Sequence, residues 1–552
     1  MRIDVRPDRN ERDSMKQMIV MFALVVGGAA IASAQGNEQG GVTGKRQGAQ
    51  AVEKLLMETD VTEQTKAREA VADDPYRPLY HVSAPGRGLH DPAGLCWWNG
   101  YYHFFYLSVG NGWGRHHAVS KDLVHWQDLP PLPPHFKGGT GQALADSDRV
   151  ILGLRGEERG ANTRFATSSA PLLLDWAMPD PVPDNAYGDN QLWKDGDYYY
   201  AAFQVFPPPG PLVFKGNKNF ATGKTQLKLM RSKDLEEWED LGMMLEDGLY
   251  PSGGEDSACP NFLPISENKW LLLYYTHKSG PRYYVGDYNK ETFRFSPDRF
   301  GKMNFGPVLR GSLHAPSALI DEKGRCVGIW NVTENIRKSK VKSVGVMSLP
   351  RQISLNGAEA SAENFLNPLR IEPLEELKRL RRDSVEIKDL AVPANEEVAL
   401  ENVKGKAMEI EVEIDPMEAR EVGLNVFRSP DAREMTSVSL FMDGWPRDEN
   451  ARELMIDVSK ASLNPDVYAR SPEVGPVTIK DGETIKLRIF LDRSIIEVFA
   501  NGIQCLTLRA YPTLENSNGV SVFSRGGEAK LVSLEAHQMG SIWPELEHKV
   551  GK

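Results

Sequence analysis

The stretch Asn99–Tyr106 has the sequence NGYYHFFY, a turn pair followed at once by aromatic residues. Asn-Gly readily adopts the positive φ angles that tight hairpins require, and an aromatic run is typical of a buried strand. Four further turn pairs precede strand-forming runs: Ser147-Asp148, Asp195-Gly196, Glu267-Asn268 and Lys323-Gly324. The spacings between these turns are about 48, 48, 72 and 56 residues, a range in which propeller blades recur. The pattern predicts repeated units of short β-strands.

A second repeat supports this interpretation. Ser120–Trp126 (SKDLVHW) recurs as Ser232–Trp238 (SKDLEEW), and a degenerate copy is predicted at Ser169, Leu172 and Trp176. A β-sandwich would show similar strand spacing, but the repeat period is too long for single hairpins. Five units of about four strands each predict an all-β fold that begins with a five-bladed β-propeller over residues 76–366.

The rest of the chain has a different pattern. Residues 373–382 predict a short charged helix within a connector at 367–385. Beyond it, strands with alternating apolar and polar residues predict a β-sandwich at 386–540, with one buried and one solvated face, followed by a tail at 541–552. The clearest of these strands are Ala407–Ile414, Ile485–Leu491 and Ile495–Ala500.

The N-terminus has the pattern of an export signal. Met18–Ile31 is apolar, Lys16 precedes it, and Ala32-Ser33-Ala34 is a small-residue cleavage motif. The run is shorter than the ~20 residues that span a bilayer, although an uncleaved anchor is the alternative. We expect a signal peptide at 1–34 and a polar linker at 35–75, with one short amphipathic helix at 52–57. The mature protein would then be secreted or periplasmic, without membrane contact.

Composition excludes several classes of protein. The chain has 65 basic and 76 acidic residues, a net charge of −11, which argues against nucleic-acid binding. Its four cysteines form no CxxC pair, so a zinc module or disulfide scaffold is not expected. His116-His117 would point to opposite faces of a strand. The sequence therefore predicts no metal site and no cofactor.

Three acidic clusters precede predicted blades: His90-Asp91-Pro92, Gly188-Asp189-Asn190 and Gly254-Glu255-Asp256. The innermost strand of each blade lines the propeller axis, so one carboxylate from each of three blades can converge there. Two carboxylates flanking a glycosidic bond suffice for its hydrolysis. The alternative is that all three clusters are solvated loop acids.

Five ordered segments resemble glycoside hydrolase family 32, the invertase, levanase and inulinase group. They are HDPAGLCWWNGYYHFFY at 90–106, HAVSKDLVHW at 117–126, HAPSALIDEKGR at 314–325, GVMSLPRQISL at 345–355 and LRIFLDRSIIEVFANG at 487–502. The resemblance covers roughly residues 76–539. It implies a five-bladed propeller followed by a sandwich, and an enzyme that acts on β-fructofuranosides.

The resemblance also implies site residues. Asp91 matches the nucleophile, Asp189 matches the transition-state stabiliser, and Cys259 lies in the tail of the E-C-P motif that carries the acid/base. The chain departs from the family pattern where it has His90 and Ala93 around the nucleophile, Gly188 and Asn190 around the stabiliser, Leu107 after the nucleophile strand, and Ala258 in place of the acid/base glutamate.

Two carboxylates just upstream could replace that glutamate. Strand alternation favours Asp256, but Gly253-Gly254 predicts a bulge, and Glu255 has the longer side chain. We therefore assign the acid/base to Glu255, with Asp256 in reserve. The predicted substrate-binding residues are His90, Trp113, Thr140 and Gly141.

The sequence as a whole predicts a secreted retaining glycosidase that cleaves β-fructofuranosidic bonds of the sucrose, levan or inulin type. Its partner would be an oligo- or polysaccharide substrate. Two alternatives remain open: a related propeller glycosidase on another furanoside such as arabinan, and a carbohydrate-binding relative that has lost catalysis.

Overall fold

The computed structural model describes residues 51–86, 88–108, 114–136, 139–154, 162–182, 188–204, 226–246, 256–357, 366–444 and 450–543. The chain divides into two units, residues 1–57 and 58–552. In the first unit, the described residues 51–57 are helical (α1), as predicted for 52–57. The predicted signal peptide lies outside the described residues. Within those residues, no helix has the length and apolar character needed to cross a membrane.

Each predicted turn pair lies in the hairpin between the first two strands of a sheet, which confirms that prediction. The first sheet comprises β1 (Leu89–Trp98), β2 (Tyr101–Ser108), β3 (Gly114–Ser120) and β4 (Trp126–Leu129). The second comprises β5 (Ala143–Ala145), β6 (Val150–Leu154) and β7 (Arg164–Ser168). The third comprises β8 (Asn190–Asp195), β9 (Tyr198–Gln204), β10 (Leu227–Ser232) and β11 (Glu239–Met243).

Two more antiparallel sheets follow. The fourth comprises β12 (Ala258–Pro264), β13 (Trp270–Thr276), β14 (Gly280–Asn289) and β15 (Arg294–Lys302). The fifth comprises β16 (Leu313–Ile320), β17 (Cys326–Val332), β18 (Val346–Met347), β19 (Arg351–Leu355) and β20 (Leu369–Pro373). The first strand of each sheet contacts the first strand of the next, and β16 contacts β1. In the described residues, the five sheets thus form a closed ring with their first strands innermost, which is the arrangement of a β-propeller.

The repeated SKDL segments form the same turn in two sheets. In each copy the leucine has a positive φ, 63° at Leu123 and 72° at Leu235. The carboxylate of the preceding aspartate accepts backbone N–H groups two and three residues ahead. In the second sheet, Leu173 has the positive φ and accepts the indole N–H of Trp176. The degenerate copy therefore centres on Leu173, one residue beyond the predicted Leu172.

The fifth sheet continues past residue 366, the predicted end of the propeller domain. Its last strand, β20, pairs with β19 and ends at Pro373. A 3-10 helix at Glu375–Leu380 connects it to the second domain, where the charged helix was expected. Another 3-10 turn lies at Lys338–Lys340.

The second domain is a β-sandwich of two six-stranded sheets within its described residues. Its strands are β21 (Arg381–Val392), β22 (Glu397–Lys404), β23 (Ala407–Asp415), β24 (Glu421–Arg428), β25 (Thr436–Phe441), β26 (Ala451–Asp457), β27 (Glu473–Thr478), β28 (Ile485–Asp492), β29 (Ile495–Ala500), β30 (Gln504–Arg509), β31 (Gly519–Arg525) and β32 (Ala529–Met539). The sheet orders are β21-β32-β23-β28-β29-β30 and β22-β31-β24-β25-β26-β27. An apolar core lies between the two sheets.

The expected solvated face is absent from part of the sandwich. Strand β29 is buried along its whole length because Ile495 and Phe499 join the core of the propeller, while Ile496 and Val498 face the sandwich core. The polar residue of this strand, Glu497, pairs with Arg351 of the propeller. An alternating pattern here marks the contact with the propeller rather than exposure to water.

The predicted linker at 35–75 is only partly a linker. Residues Thr62–Glu69 form helix α2, and Arg68 near its end is buried. Its guanidinium makes two hydrogen bonds to Asp128, within β4, and stacks 3.2 Å from the ring centre of Trp543. A buried arginine with a carboxylate partner thus anchors this segment to the first blade. The polar composition of the segment had predicted a linker instead.

Candidate active site

The starts of the innermost strands meet at one end of the propeller ring. Asp91 lies in β1, Thr140 and Gly141 precede β5, and Asp189 precedes β8. Asp256 precedes β12 and His314 lies in β16. Hydrogen bonds link these positions between blades, including the bonds from His314 to Asp91 and from Cys259 to Asp189. The predicted residues Asp91, Asp189 and Asp256 thus lie at the starts of innermost strands, and their catalytic roles stay predictions.

Asp91 is held between two histidines. Its Oδ1 lies 2.9 Å from Nδ1 of His314, and its Oδ2 lies 3.0 Å from Nδ1 of His90. Burial alone would raise the pKa of Asp91, but the charges and hydrogen bonds of His314 and His90 outweigh it and hold that pKa well below its usual range. The carboxylate is therefore ionised at neutral pH, as a nucleophile must be. His90, predicted to bind substrate, is one-third exposed and contacts this carboxylate.

Asp189 is fixed by a bulge in β12. Its Oδ2 accepts the backbone N–H of Cys259 at 3.1 Å and lies 3.4 Å from the thiol sulfur. Cys259 has a φ of 51°, and the pairing of β12 with β13 is irregular at this point. Its N–H therefore points at Asp189. Burial and the nearby charges of Asp189 and Asp91 raise the pKa of the Cys259 thiol, which stays protonated and can donate.

Thr140 and Gly141 lie behind these groups rather than at an exposed surface. The hydroxyl of Thr140 is 3.1 Å from the sulfur of Cys259, and Thr140 is 2% exposed. A Cβ on Gly141 would come within 2.2 Å of the carbonyl oxygen of Gly153, so only glycine fits. Both residues are thus packed at the start of the second blade, and their role toward a substrate stays a prediction.

Asp256 forms a tight pair with His277. Asp256 Oδ1 accepts the backbone N–H of His277 at 2.8 Å, and Oδ2 lies 2.7 Å from His277 Nδ1. Oδ2 also accepts a hydrogen bond from Gln204 at 3.1 Å. The Asp256 side chain has no exposed surface, whereas that of His277 is 24% exposed. Burial alone would lower the pKa of His277, but Asp256, followed by Asp189 and Asp91, raises it.

The slot of the expected acid/base is apolar. Ala258 is 3% exposed and packs with Cys259, Tyr275 and Ala315. Tyr275 lies directly opposite Ala258 on β13, and its ring centre is 3.9 Å from that of His314. The remaining predicted residues, Glu255 and Trp113, lie outside the described residues.

Sequence analysis did not identify His277 or His314. The signal for His277 was available, because an antiparallel hairpin places the end of β13 beside the start of β12, and Ala258 pairs with Tyr275. The signal for His314 was weaker. It lies one residue into the first strand of the fifth blade, in a segment that carries no carboxylate.

Among the described residues, no three His, Cys, Asp or Glu side chains are arranged to hold an ion. His116 stacks on Tyr106, and His117 stacks on Phe105. The two adjacent histidines thus point to opposite faces of β3, as predicted.

An ionised carboxylate with further carboxylates nearby fits the paired acidic groups that most glycosidases place around the scissile bond. Together with the propeller and the sandwich, these carboxylates define the class of this protein as a glycoside hydrolase.

Comparison with known families gives the particular group. The family model described as "Glycosyl hydrolases family 32 N-terminal domain" matches residues 81–151 and 213–366. The model described as "Glycosyl hydrolases family 32 C terminal" matches residues 376–538. These matches cover more than half of the chain. The protein belongs to glycosyl hydrolase family 32.

Individual relatives agree with this assignment. The chain is 27% identical over 521 residues to a levanase from Bacillus subtilis, covering 85% of this chain and 71% of the relative. It is 26% identical over 540 residues to a β-fructofuranosidase, insoluble isoenzyme 1, from Oryza sativa, covering 84% of this chain and 90% of the relative. The crystal structure of fructan 1-exohydrolase IIa from Cichorium intybus superposes with a TM-score of 0.71 at 19% identity, covering 85% of this chain and 98% of that one.

Proposed function

We propose that this glycosidase hydrolyses β-fructofuranosidic bonds of the sucrose, levan or inulin type with net retention of configuration. The observation that carries the proposal is the Asp91 carboxylate, kept ionised by His314 and His90 at the start of the first propeller strand. The relatives named levanase and β-fructofuranosidase support the substrate class.

In this proposal Asp91 attacks the anomeric carbon and forms a covalent fructosyl-enzyme. Asp189, fixed by the N–H of Cys259, accepts substrate hydroxyl groups and stabilises positive charge in the transition state. A proton donor is needed because a sugar alkoxide leaves poorly. Glu255 stays a prediction from the sequence. Its reserve, Asp256, is fully buried and bonded through both oxygens, which argues against direct contact between Asp256 and a substrate.

We also propose that the enzyme acts outside the cytoplasm, either secreted or in the periplasm. Residues 1–34 have the composition of a cleaved signal peptide, and this part of the proposal rests on the sequence alone.

The purified full chain is expected to release reducing sugar from sucrose, levan or inulin and to leave arabinan intact. The relevant measurement is initial rate on each of the four substrates at equal mass concentration. Activity on arabinan alone would favour the alternative, a related propeller glycosidase that acts on arabinan. Binding of fructan without hydrolysis of any substrate would identify a relative that has lost catalysis.

Retention is expected for the sugar released first. A double displacement through Asp91 inverts the anomeric carbon twice, so the fructose initially formed keeps the β configuration of the substrate. Proton NMR during the first minutes, before mutarotation, measures the anomer. Initial release of the α anomer would indicate a single displacement by water and would remove Asp91 from the role of nucleophile.

A further inference from the structure

The acid/base position of this enzyme poses a chemical problem. A positioned general acid contributes typically 10²–10⁴-fold to the rate of glycoside cleavage. Ala258 occupies the expected slot, and its surroundings are apolar. Some other group at this end of the propeller must protonate the leaving oxygen.

Exposure and pairing with Asp91 together separate the titratable groups that the structure describes around the site. Asp256 has no exposed side-chain surface, and Tyr275 and Cys259 are buried. His314 and His90 have side chains that are 10% and 33% exposed, but each faces the proposed nucleophile Asp91 through Nδ1. His277 combines a 24% exposed side chain with a position beside Asp256.

Contacts orient the ring of His277. Nδ1 faces Asp256 Oδ2 at 2.7 Å, and the backbone N–H of the same residue is bonded to Asp256 Oδ1. This pair of contacts to one carboxylate fixes both the backbone and the ring. The ring centre lies 6.3 Å from that of His314, the partner of Asp91. The proton on Nε2 is thus the one that His277 can transfer, and the ring lies close to the proposed nucleophile.

We propose that His277 is the acid/base of this enzyme and that Asp256 is its positioning residue. The inference rests on the proposed function, since it assigns the proton donor of the same fructoside hydrolysis. A histidine in the turn just after the second strand of the fourth blade thereby takes over the task of the carboxylate missing from the first strand.

The proton balance is complete with these groups. In the first step an Asp91 oxygen bonds to the anomeric carbon, the glycosidic C–O bond breaks, and the leaving oxygen takes the proton from Nε2 of His277. In the second step neutral Nε2 takes a proton from water while the water oxygen bonds to the anomeric carbon and the ester bond from that carbon to Asp91 breaks. Both residues thereby return to their starting states.

The charges around His277 suit this role. It faces Asp256 directly, the charges of Asp189 and Asp91 lie nearby, and the rings of Tyr275 and His314 pack beside it. The three carboxylates raise the pKa of His277, so the imidazolium persists to higher pH than that of an ordinary histidine. The rate on natural sugars should fall as pH rises through this pKa, because the acid is then lost.

The decisive experiment compares leaving groups. His277→Gln is expected to lower kcat/KM on sucrose by roughly 10²–10⁴-fold. On a nitrophenyl β-fructofuranoside, whose leaving group needs no proton, the first step should stay within roughly threefold of wild type. Azide should then accelerate turnover, because an anion attacks the fructosyl-enzyme without a general base.

His125→Gln is the matched control. His125 pairs through Nδ1 with Asp122 at 3.0 Å, a histidine–aspartate pair like that of His277 and Asp256. It lies in the turn between β3 and β4, not at the start of an innermost strand. Its variant should keep wild-type rates on both substrates. Wild-type activity of His277→Gln on sucrose would overturn the proposal, as would leaving-group dependence in Glu255→Gln alone. If wild type itself cleaves neither fructoside, the proposed function fails instead.

Asp256→Asn supplies an independent readout. Without the carboxylate the pKa of His277 should fall, so the alkaline limb of the pH–rate profile on sucrose should move to lower pH by roughly one unit. A purely structural role for Asp256 would lower the rate at every pH without moving that limb. An unmoved limb would therefore contradict the proposal even if His277→Gln failed to fold.

Discussion

Asp91→Asn is expected to lower kcat by about 10⁴-fold or more, a loss of the size seen when a catalytic nucleophile is removed. The amide cannot form the fructosyl ester, so the reaction loses its first covalent step. The loss should be equally large on sucrose and on a nitrophenyl β-fructofuranoside, because leaving-group activation does not replace a nucleophile. Initial rates on both substrates measure it, and azide should not restore them.

The covalent step can also be observed directly. In His277→Gln the second step is slow, so an activated fructoside should leave the enzyme heavier by one fructosyl group. Mass spectrometry of the denatured protein detects that group, and peptide mapping should assign it to Asp91. Attachment of the fructosyl group to any residue other than Asp91 would contradict the proposal.

The matched control for Asp91→Asn is Asp146→Asn, since Asp146 pairs with Lys194 between the second and third blades. Asp146→Asn should leave the rate on both substrates unchanged.

The β-propeller could be predicted because its signals are local. A turn pair such as Asn99-Gly100 determines a hairpin within a few residues, and the repetition of that signal predicts the repeated sheets. The SKDL turns could be found for the same reason, since Asp122 and Asp234 cap their own loops. Non-local contacts were not accessible in this way. Helix α2 depends on Arg68 reaching Asp128, 60 residues away.

In the candidate site, too, local signals could be predicted from the sequence and non-local contacts could not. Asp91 and Asp189 could be proposed from the sequence because each matches a motif at the start of a predicted strand. His277 was not among the predicted residues because its contact with Asp256 depends on pairing between two strands, in which β13 returns beside β12. Thr140 was assigned to substrate by analogy, whereas its burial against Cys259 is a tertiary contact. Residue type predicts the chemistry of a site, but exposure decides which group can reach a substrate.

The contact between propeller and sandwich is held together by a buried ion pair at Glu497. One oxygen accepts the backbone N–H of Leu349 at 2.7 Å, and the other accepts the Arg351 guanidinium at 2.7 Å. His81 from the start of the propeller lies 3.3 Å away. All three charged side chains have no exposed surface. Burial alone would raise the pKa of Glu497, but Arg351 and His81 outweigh it and lower that pKa.

Glu497→Gln is expected to lower the free energy of unfolding by about 3–5 kcal/mol, because it leaves the buried guanidinium of Arg351 without a counter-ion. Urea unfolding followed by tryptophan fluorescence measures the loss. The control is Glu386→Gln, which removes an exposed ion pair with Lys388 on β21 and should cost less than about 1 kcal/mol. An equal cost for both variants would contradict the role given to Glu497.

The same ion pair predicts how the stability responds to acid. A carboxylate whose pKa is lowered by folding contributes stability that is complete above the ordinary glutamate pKa of about 4.3 and is lost as pH falls through the folded value. The stability of Glu497→Gln should therefore depend less on pH than that of wild type in this acidic range. Since Glu497 contacts no group of the candidate site among the described residues, the folded fraction of the variant should keep its kcat on sucrose. A variant that loses stability but keeps kcat would separate the contact between the domains from the chemistry at the blade starts, where Asp91→Asn should have the opposite effect.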